Sequence, residues 1–93
     1  CDGLAGGFGR LPFEIAQELV ESVQVVPEDQ VRQAIAWLVA HEHLVVEGSA
    51  AIAIAPLLAG GLDLSGLKVV AVLTGRNIDV DVLRTILQER SQT

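Results

Sequence analysis

Apolar and polar residues follow one another along this chain in two rhythms, and each rhythm predicts a different element. Ile15, Leu19 and Val20 recur at helical spacing while Glu14, Gln17, Glu18 and Glu21 take the opposite face. Pro12 suits the first turn of that helix, where its missing N–H costs nothing. The opening CDGLAGGFGRL holds four of the nine glycines and reads as loop. Ser22 to Val26 (SVQVV) alternates and is rich in β-branched residues, which predicts a short strand. Pro27, Glu28 and Asp29 then open a second helix, combining a fixed φ with acids at the positive end of the helix dipole. Val31, Ala34, Ile35, Leu38 and Val39 form its apolar face, and His41 falls in its last turn.

His43 to Val46 connects to a third helix, Gly48 to Leu58, in which alanines are interleaved with Ile52, Ile54, Leu57 and Leu58. It has no polar face, the pattern of a buried helix. Gly60–Gly61 stops it, and Asp63 to Gly66 is a polar turn. Lys68 to Leu73 (KVVAVL) is a near-continuous apolar run, as in a parallel strand covered on both faces. A loop from Thr74 to Asn77 follows, and Asp79 can cap a last helix whose inward residues are Val82, Leu83, Ile86 and Leu87. The order predicts a single α/β segment over residues 1–93, a partial parallel sheet of two strands with about four helices. Two strands do not make a sufficient sheet, so missing chain or another copy is expected to complete it.

Composition changes this picture in one direction. Of 93 residues, 51% are hydrophobic and 19% charged, with Phe8, Phe13 and Trp37 the three aromatics. That is more aliphatic content than the thin core of so short a chain needs. It reads as an inner part of something bigger, and the absence of any methionine adds to the expectation of a fragment of a longer polypeptide. A net charge of −6, with six Lys+Arg against twelve Asp+Glu, offers no basic patch and argues against nucleic acid. The longest uncharged stretch, Gly48 to Leu62, is broken by Pro56 and Gly60–Gly61. It falls short of the roughly 20 apolar residues of a spanning helix, so no membrane is expected as a partner. No secretory signal is visible, and one cysteine cannot form an internal disulfide, which fits a cytoplasmic setting.

The loop after the second predicted strand carries the strongest chemical signal. In open α/β sheets ligands bind beyond the carboxyl ends of strands. Thr74 offers a hydroxyl there, Gly75 lets backbone approach closely, and Asn77 offers an amide. The same residues serve equally well as a turn and helix cap, so local pattern leaves both readings open. His41-Glu42-His43 is a weaker candidate for a metal site, because residues two apart on a helix diverge and no third ligand cluster supports them. A favourable charge at a helix C-terminus is the better account, and no metal is expected. Cys1 reads as an incidental thiol, and Trp37 as an anchor at the rim of the core.

Three stretches together resemble a family. Asp2-Gly3 is similar to an Ala-Asp-Gly motif, Leu44 to Ala51 (LVVEGSAA) to Leu-Val-Val-Glu-Gly-Ala-Gly-Ala, and Val69 to Asp79 (VVAVLTGRNID) to Val-Val-Val-Val-Leu-Ser-Gly-Gly-Asn-Ile-Asp. These are motifs of the C-terminal part of the large domain in fold-type II pyridoxal-phosphate enzymes, the threonine/serine dehydratase (ammonia-lyase) and serine racemase group. Each motif is short, but the three stand in the family's order. The resemblance implies that Thr74 takes the place of the serine that hydrogen-bonds the cofactor's pyridine nitrogen. A hydroxyl there leaves the ring a weaker electron sink than an aspartate would, which suits β-elimination. It implies further that Gly3 lies against the cofactor, that Glu47 is an acidic residue beside the pocket, and that Gly75 and Asn77 belong to the same loop, Asn77 fixing it. Arg76 departs from the family's usual glycine.

The family also needs a Schiff-base lysine, a glycine-rich phosphate cradle and an Asn-containing substrate loop, all upstream of the matched region. The one lysine, Lys68, opens the apolar run at the end expected to face away from the site. Gly3 to Gly9 is not a GxGxxG fingerprint and follows no strand. The expectation is therefore a chain without catalytic residues, binding no pyridoxal phosphate alone and contributing one side of that cofactor's pocket. It would work with the remainder of a parent enzyme, as part of a homo-oligomer. The alternative is a non-catalytic α/β oligomerisation module whose apolar surface is an interface.

Overall fold

Helix α2 (Glu28–Trp37) is the element against which the three helices that follow it pack in the computed structural model, which describes residues 9–60 and 64–91. Pro27 stands at its N-cap in extended conformation, and Glu28 and Asp29 fill its first turn. Val31, Ala34, Ile35 and Leu38, four of the predicted apolar face, are buried, and Ala36 joins them. The helix runs into a single π-helical turn, Leu38–Glu42, with His41 in its last turn as expected. His43 ends it in the left-handed region at φ 55°, so that the Leu44 N–H reaches back to the Leu38 carbonyl at 3.1 Å. The rings of Trp37 and His41 lie one turn apart with centroids 5.0 Å from each other, and Trp37 packs half-buried at the rim of the core.

The predicted third helix is two short ones, α3 (Gly48–Ala51) and α4 (Ala55–Ala59). Pro56 is the cause. It has no N–H to give the Ile52 carbonyl, and its ring would collide with that group in a continuous helix. Ala53 and Ile54 tighten instead into i→i−3 bonds, Ala53 N–H to Ala50 O at 3.2 Å and Ile54 N–H to Ala51 O at 3.0 Å. Gly60 closes α4 in the left-handed conformation, φ 74°, which a glycine adopts without cost. The alanines matter here: Ala50, Ala51 and Ala55 are buried and let these short helices sit close on α2. Helix α5 (Val80–Ser91) completes the cluster through Ile86, which is 3% exposed, with Leu83 and Leu87 packed beside it.

The expected two-stranded parallel sheet is not formed: the fold is helical, with no strand among the described residues. Ser22 to Val25 form an exposed connection, Val23 and Val25 being 82% and 94% accessible, and only Val26 of this run packs against the core. Leu67 to Leu73 runs without a ladder partner, and Val70 and Val72 are exposed. The error has a physical origin. β-branched residues report that a chain suits a pleated, half-buried surface, whereas a strand also needs a neighbour to accept its N–H groups. Neither segment finds the other.

Helix α1 (Arg10–Leu19) forms where expected, with Pro12 in its first turn. Its apolar stripe is not inward, since none of its residues is buried and Ile15 and Leu19 are both exposed. This unpacked arm helps explain a radius of gyration of 14.6 Å, against about 12 Å for a compact chain of this length.

Candidate functional site

Glu47 is the residue through which the two larger matching stretches meet. It is extended (φ −79°, ψ 166°), and its carbonyl starts α3 by accepting the Ala50 and Ala51 N–H groups at 3.1 and 3.0 Å. Its own N–H donates to the Gly75 carbonyl at 3.1 Å. Residues 28 apart in sequence are thereby joined. The Glu47 side chain, half-buried, lies over the same glycine, and a Cβ at position 75 would stand 2.7 Å from its Cδ and overlap one carboxylate oxygen.

Beyond Gly75 the chain turns tightly around Asn77, with the Ile78 N–H donating to the Arg76 carbonyl at 2.9 Å. Asp79 then caps α5 as expected: one carboxylate oxygen accepts the Asp81 N–H at 2.8 Å and the Val82 N–H at 3.4 Å. The loop is thus fixed at both ends, by Glu47 and by the helix it opens.

Between α2, the start of α3 and the start of α5 lies a cleft of about 370 Å³. Glu28, Arg32, Glu47, Ser49, Asn77 and Asp79 line it with polar groups, over a floor that includes Ile35 and Ile86. Three carboxylates against one guanidinium leave the lining acidic. Arg32 also makes a bidentate pair with Glu89 on α5, Nε to Oε2 at 3.1 Å and Nη2 to Oε1. That hydrogen bond holds the Arg32 pKa above its ordinary value, with Glu28 adding to the effect, and holds the Glu89 carboxyl below its own. On the other side of this pair a broader groove, about 780 Å³, runs past Trp37 and Leu58.

The site residues expected from sequence divide as follows. Glu47 and Asn77 share the cleft, and Gly75 touches Glu47. Thr74 is exposed on the loop and does not line the cleft. Gly3 lies outside the described residues. Lys68 is exposed, six residues before Thr74 on the extended run. Sequence reading missed Glu28, Arg32, Ser49 and Asp79 as lining residues. The i,i+4 spacing of Glu28 and Arg32, beside the apolar face of α2, was the available signal for the first two. For Ser49 it was adjacency to Glu47 within one motif. Among the described residues, no group of three or more His, Cys, Asp and Glu is placed to hold a metal ion. Nor is any helix long and apolar enough to cross a membrane.

Comparison with known proteins bears on the same stretches. The chain is 39% identical over 74 residues to the catabolic L-threonine dehydratase of Escherichia coli K12, a match covering 77% of this chain and 22% of the relative. It is 35% identical over 81 residues to the L-threonine ammonia-lyase of Thermotoga maritima, covering 87% of this chain and 20% of the relative. With the L-threonine ammonia-lyase of Geobacter sulfurreducens the identity is 40% over 77 residues, covering 82% and 19%. The chain therefore spans about a fifth of the length of these relatives. No solved structure matches it. The profile of the pyridoxal-phosphate dependent enzymes matches residues 1–75, and the chain belongs to that family.

Proposed function

We propose that this chain is a segment of a pyridoxal-phosphate-dependent threonine/serine dehydratase, contributing the pyridine-nitrogen side of the cofactor pocket and inactive alone. The observation that supports it is the Glu47–Gly75 joint, which brings the LVVEGSAA and VVAVLTGRNID stretches together. The donor set fits one edge of the cofactor. Thr74 presents a hydroxyl able to face a ring nitrogen, Gly75 leaves room for a ring, and Asn77 turns the loop that carries them. It does not fit the rest, because Lys68, the chain's one lysine, is exposed and does not line the cleft. The aldehyde and phosphate of the cofactor would be held by the remainder of the parent enzyme.

When bound, pyridoxal phosphate supplies the electron sink for β-elimination of a hydroxy amino acid to a 2-oxo acid and ammonia. The part of this chain is to orient and tune. The Thr74 hydroxyl accepts or donates at the ring nitrogen without forcing a proton onto it. Its methyl group, added relative to serine, alters how the ring sits. Gly3 would lie against the cofactor, and Glu47 beside it. The setting is cytoplasmic and the working form a homo-oligomer.

The test is reconstitution. Joined to the upstream part of its parent polypeptide, the chain should take up pyridoxal phosphate with its visible absorbance band, and Thr74→Ala should shift that band. An upstream gene sequence without a Schiff-base lysine or a glycine-rich loop would overturn the reading. A second reading, a non-catalytic oligomerisation module, is favoured by the exposed apolar residues of the 67–73 run, where Val70 is 88% accessible. Sedimentation separates the two: a homo-oligomer that never responds to the cofactor or to the upstream segment supports the module.

A further inference from the structure

Glycine is required at some positions by backbone conformation, and Gly75 is not one of them. Gly60 and Gly66 have φ of 74° and 77°, where a side chain is strained, yet a Cβ at either would meet no atom within 4 Å. Gly75 is the reverse case. Its φ lies outside the left-handed region, so an L residue could adopt the backbone, but the space is occupied by the Glu47 carboxylate. The three atoms nearest to a Cβ there all belong to the Glu47 side chain, which would have to move to admit it.

From this we infer that Glu47 is a positioning residue: its carboxylate is a strut against the Gly75 backbone that sets where the neighbouring Thr74 hydroxyl is presented. Two independent contacts place it. The backbone bond from Glu47 N–H to Gly75 O fixes the separation of the two segments, and the side chain folded onto the glycine fixes the tilt of the loop. Glu47 is itself held from the other side, since its carbonyl is taken by Ala50 and Ala51 on a helix whose alanines are buried in the core. The strut therefore runs from the core to the loop. Its value for the cofactor rests on the proposed function; the steric coupling between positions 47 and 75 does not.

The experiment is a double-mutant cycle in the polypeptide as its gene encodes it, with Gly75→Ala, Glu47→Ala, the double variant and Glu47→Gln. Two quantities are read, the melting temperature and the ¹³C methyl resonance of Thr74 assigned by its loss in Thr74→Ser. Gly75→Ala should lower Tm by about 2–8 °C and displace the Thr74 resonance. Glu47→Ala should displace that resonance too, whereas Glu47→Gln, which keeps the shape, should leave it in place. In the double variant the Tm loss should be smaller than the sum of the single losses, because the collision is gone. Additive losses, or an unmoved Thr74 signal in both alanine variants, overturn the strut. If Gly75→Ala fails to fold, recovery of a soluble protein on adding Glu47→Ala supports it, and failure of the pair while Glu47→Ala alone folds overturns it. A cofactor titration of the same proteins separates the two proposals. Coupling without pyridoxal-phosphate binding sinks the proposed function and leaves the strut standing, while binding without coupling does the opposite.

Discussion

The run from Leu67 to Leu73 is denser in aliphatic residues than helix α2, yet it is α2 that is buried. On α2 most of the predicted face is buried, with Ala34 fully covered and Ile35 at 3% exposure. On the run, Leu67 and Val72 are 64% and 66% exposed. The difference is not hydrophobicity but closure. A helix satisfies its own backbone and needs its neighbours only for side-chain burial, which α3, α4 and α5 supply. An extended segment must find partners for both backbone and side chains, and among the described residues this one finds a strand neighbour nowhere and packs Leu73 alone against the core, just before the Glu47–Gly75 bond.

The sharpest way to break that comparison is to cut one branched side chain back to alanine in each region. Leu38 is the largest of the fully buried side chains, and Leu38→Ala should destabilise the helical cluster by about 2–5 kcal/mol in a urea melt. Val70→Ala should change stability by less than about 0.5 kcal/mol, because its side chain is already in water. A comparable loss at both positions would mean that the run is packed against something in solution and that the contrast is wrong.

The same contrast explains how much could be read in advance. Elements stabilised locally were legible: α2 with its acidic first turn, its buried face, the histidine in its last turn and the Asp79 cap all follow from residues within a few positions of one another. The break at Pro56 was legible in principle, because the same missing N–H cited for Pro12 applies there with opposite consequence. The sheet was not, since pairing is a long-range property that no local alternation reports. For the site, Glu47 came from motif resemblance and Asn77 from the loop pattern as well, and the structure places them in one cleft. Arg32 was missed because its partner, Glu89, is 57 residues away.

The middle effect tests the junction between the two regions. The Asp79 carboxylate caps α5 just where the irregular 67–79 stretch becomes helix. Asp79→Ala should cost about 0.5–2 kcal/mol, and Asp79→Ser should recover most of it. Hydrogen exchange would localise the change: faster exchange at Asp81 and Val82, with the amides of α2 unaffected, is the expected pattern. Loss of protection in α2 as well would show that the junction and the cluster unfold as one unit.

The smallest effect concerns the pair that ties α5 to α2. Because the hydrogen bond from Arg32 holds the Glu89 pKa below its ordinary value, the folded state binds fewer protons at this site than the unfolded state. The stability it confers is therefore present above the unfolded glutamate value, about 4.3, and is lost as pH falls through the depressed folded value. Arg32, shifted upward, stays charged throughout this range and adds no slope of its own. The expected outcome is a small stability gap between the wild type and Glu89→Gln near neutrality that closes on acidification. Both partners are substantially solvent-exposed, so high salt should shrink the gap as well. A gap that stays constant from neutral to acid pH would mean that the two helices are held by Ile86 and its apolar neighbours alone, with the ion pair a passenger on their packing.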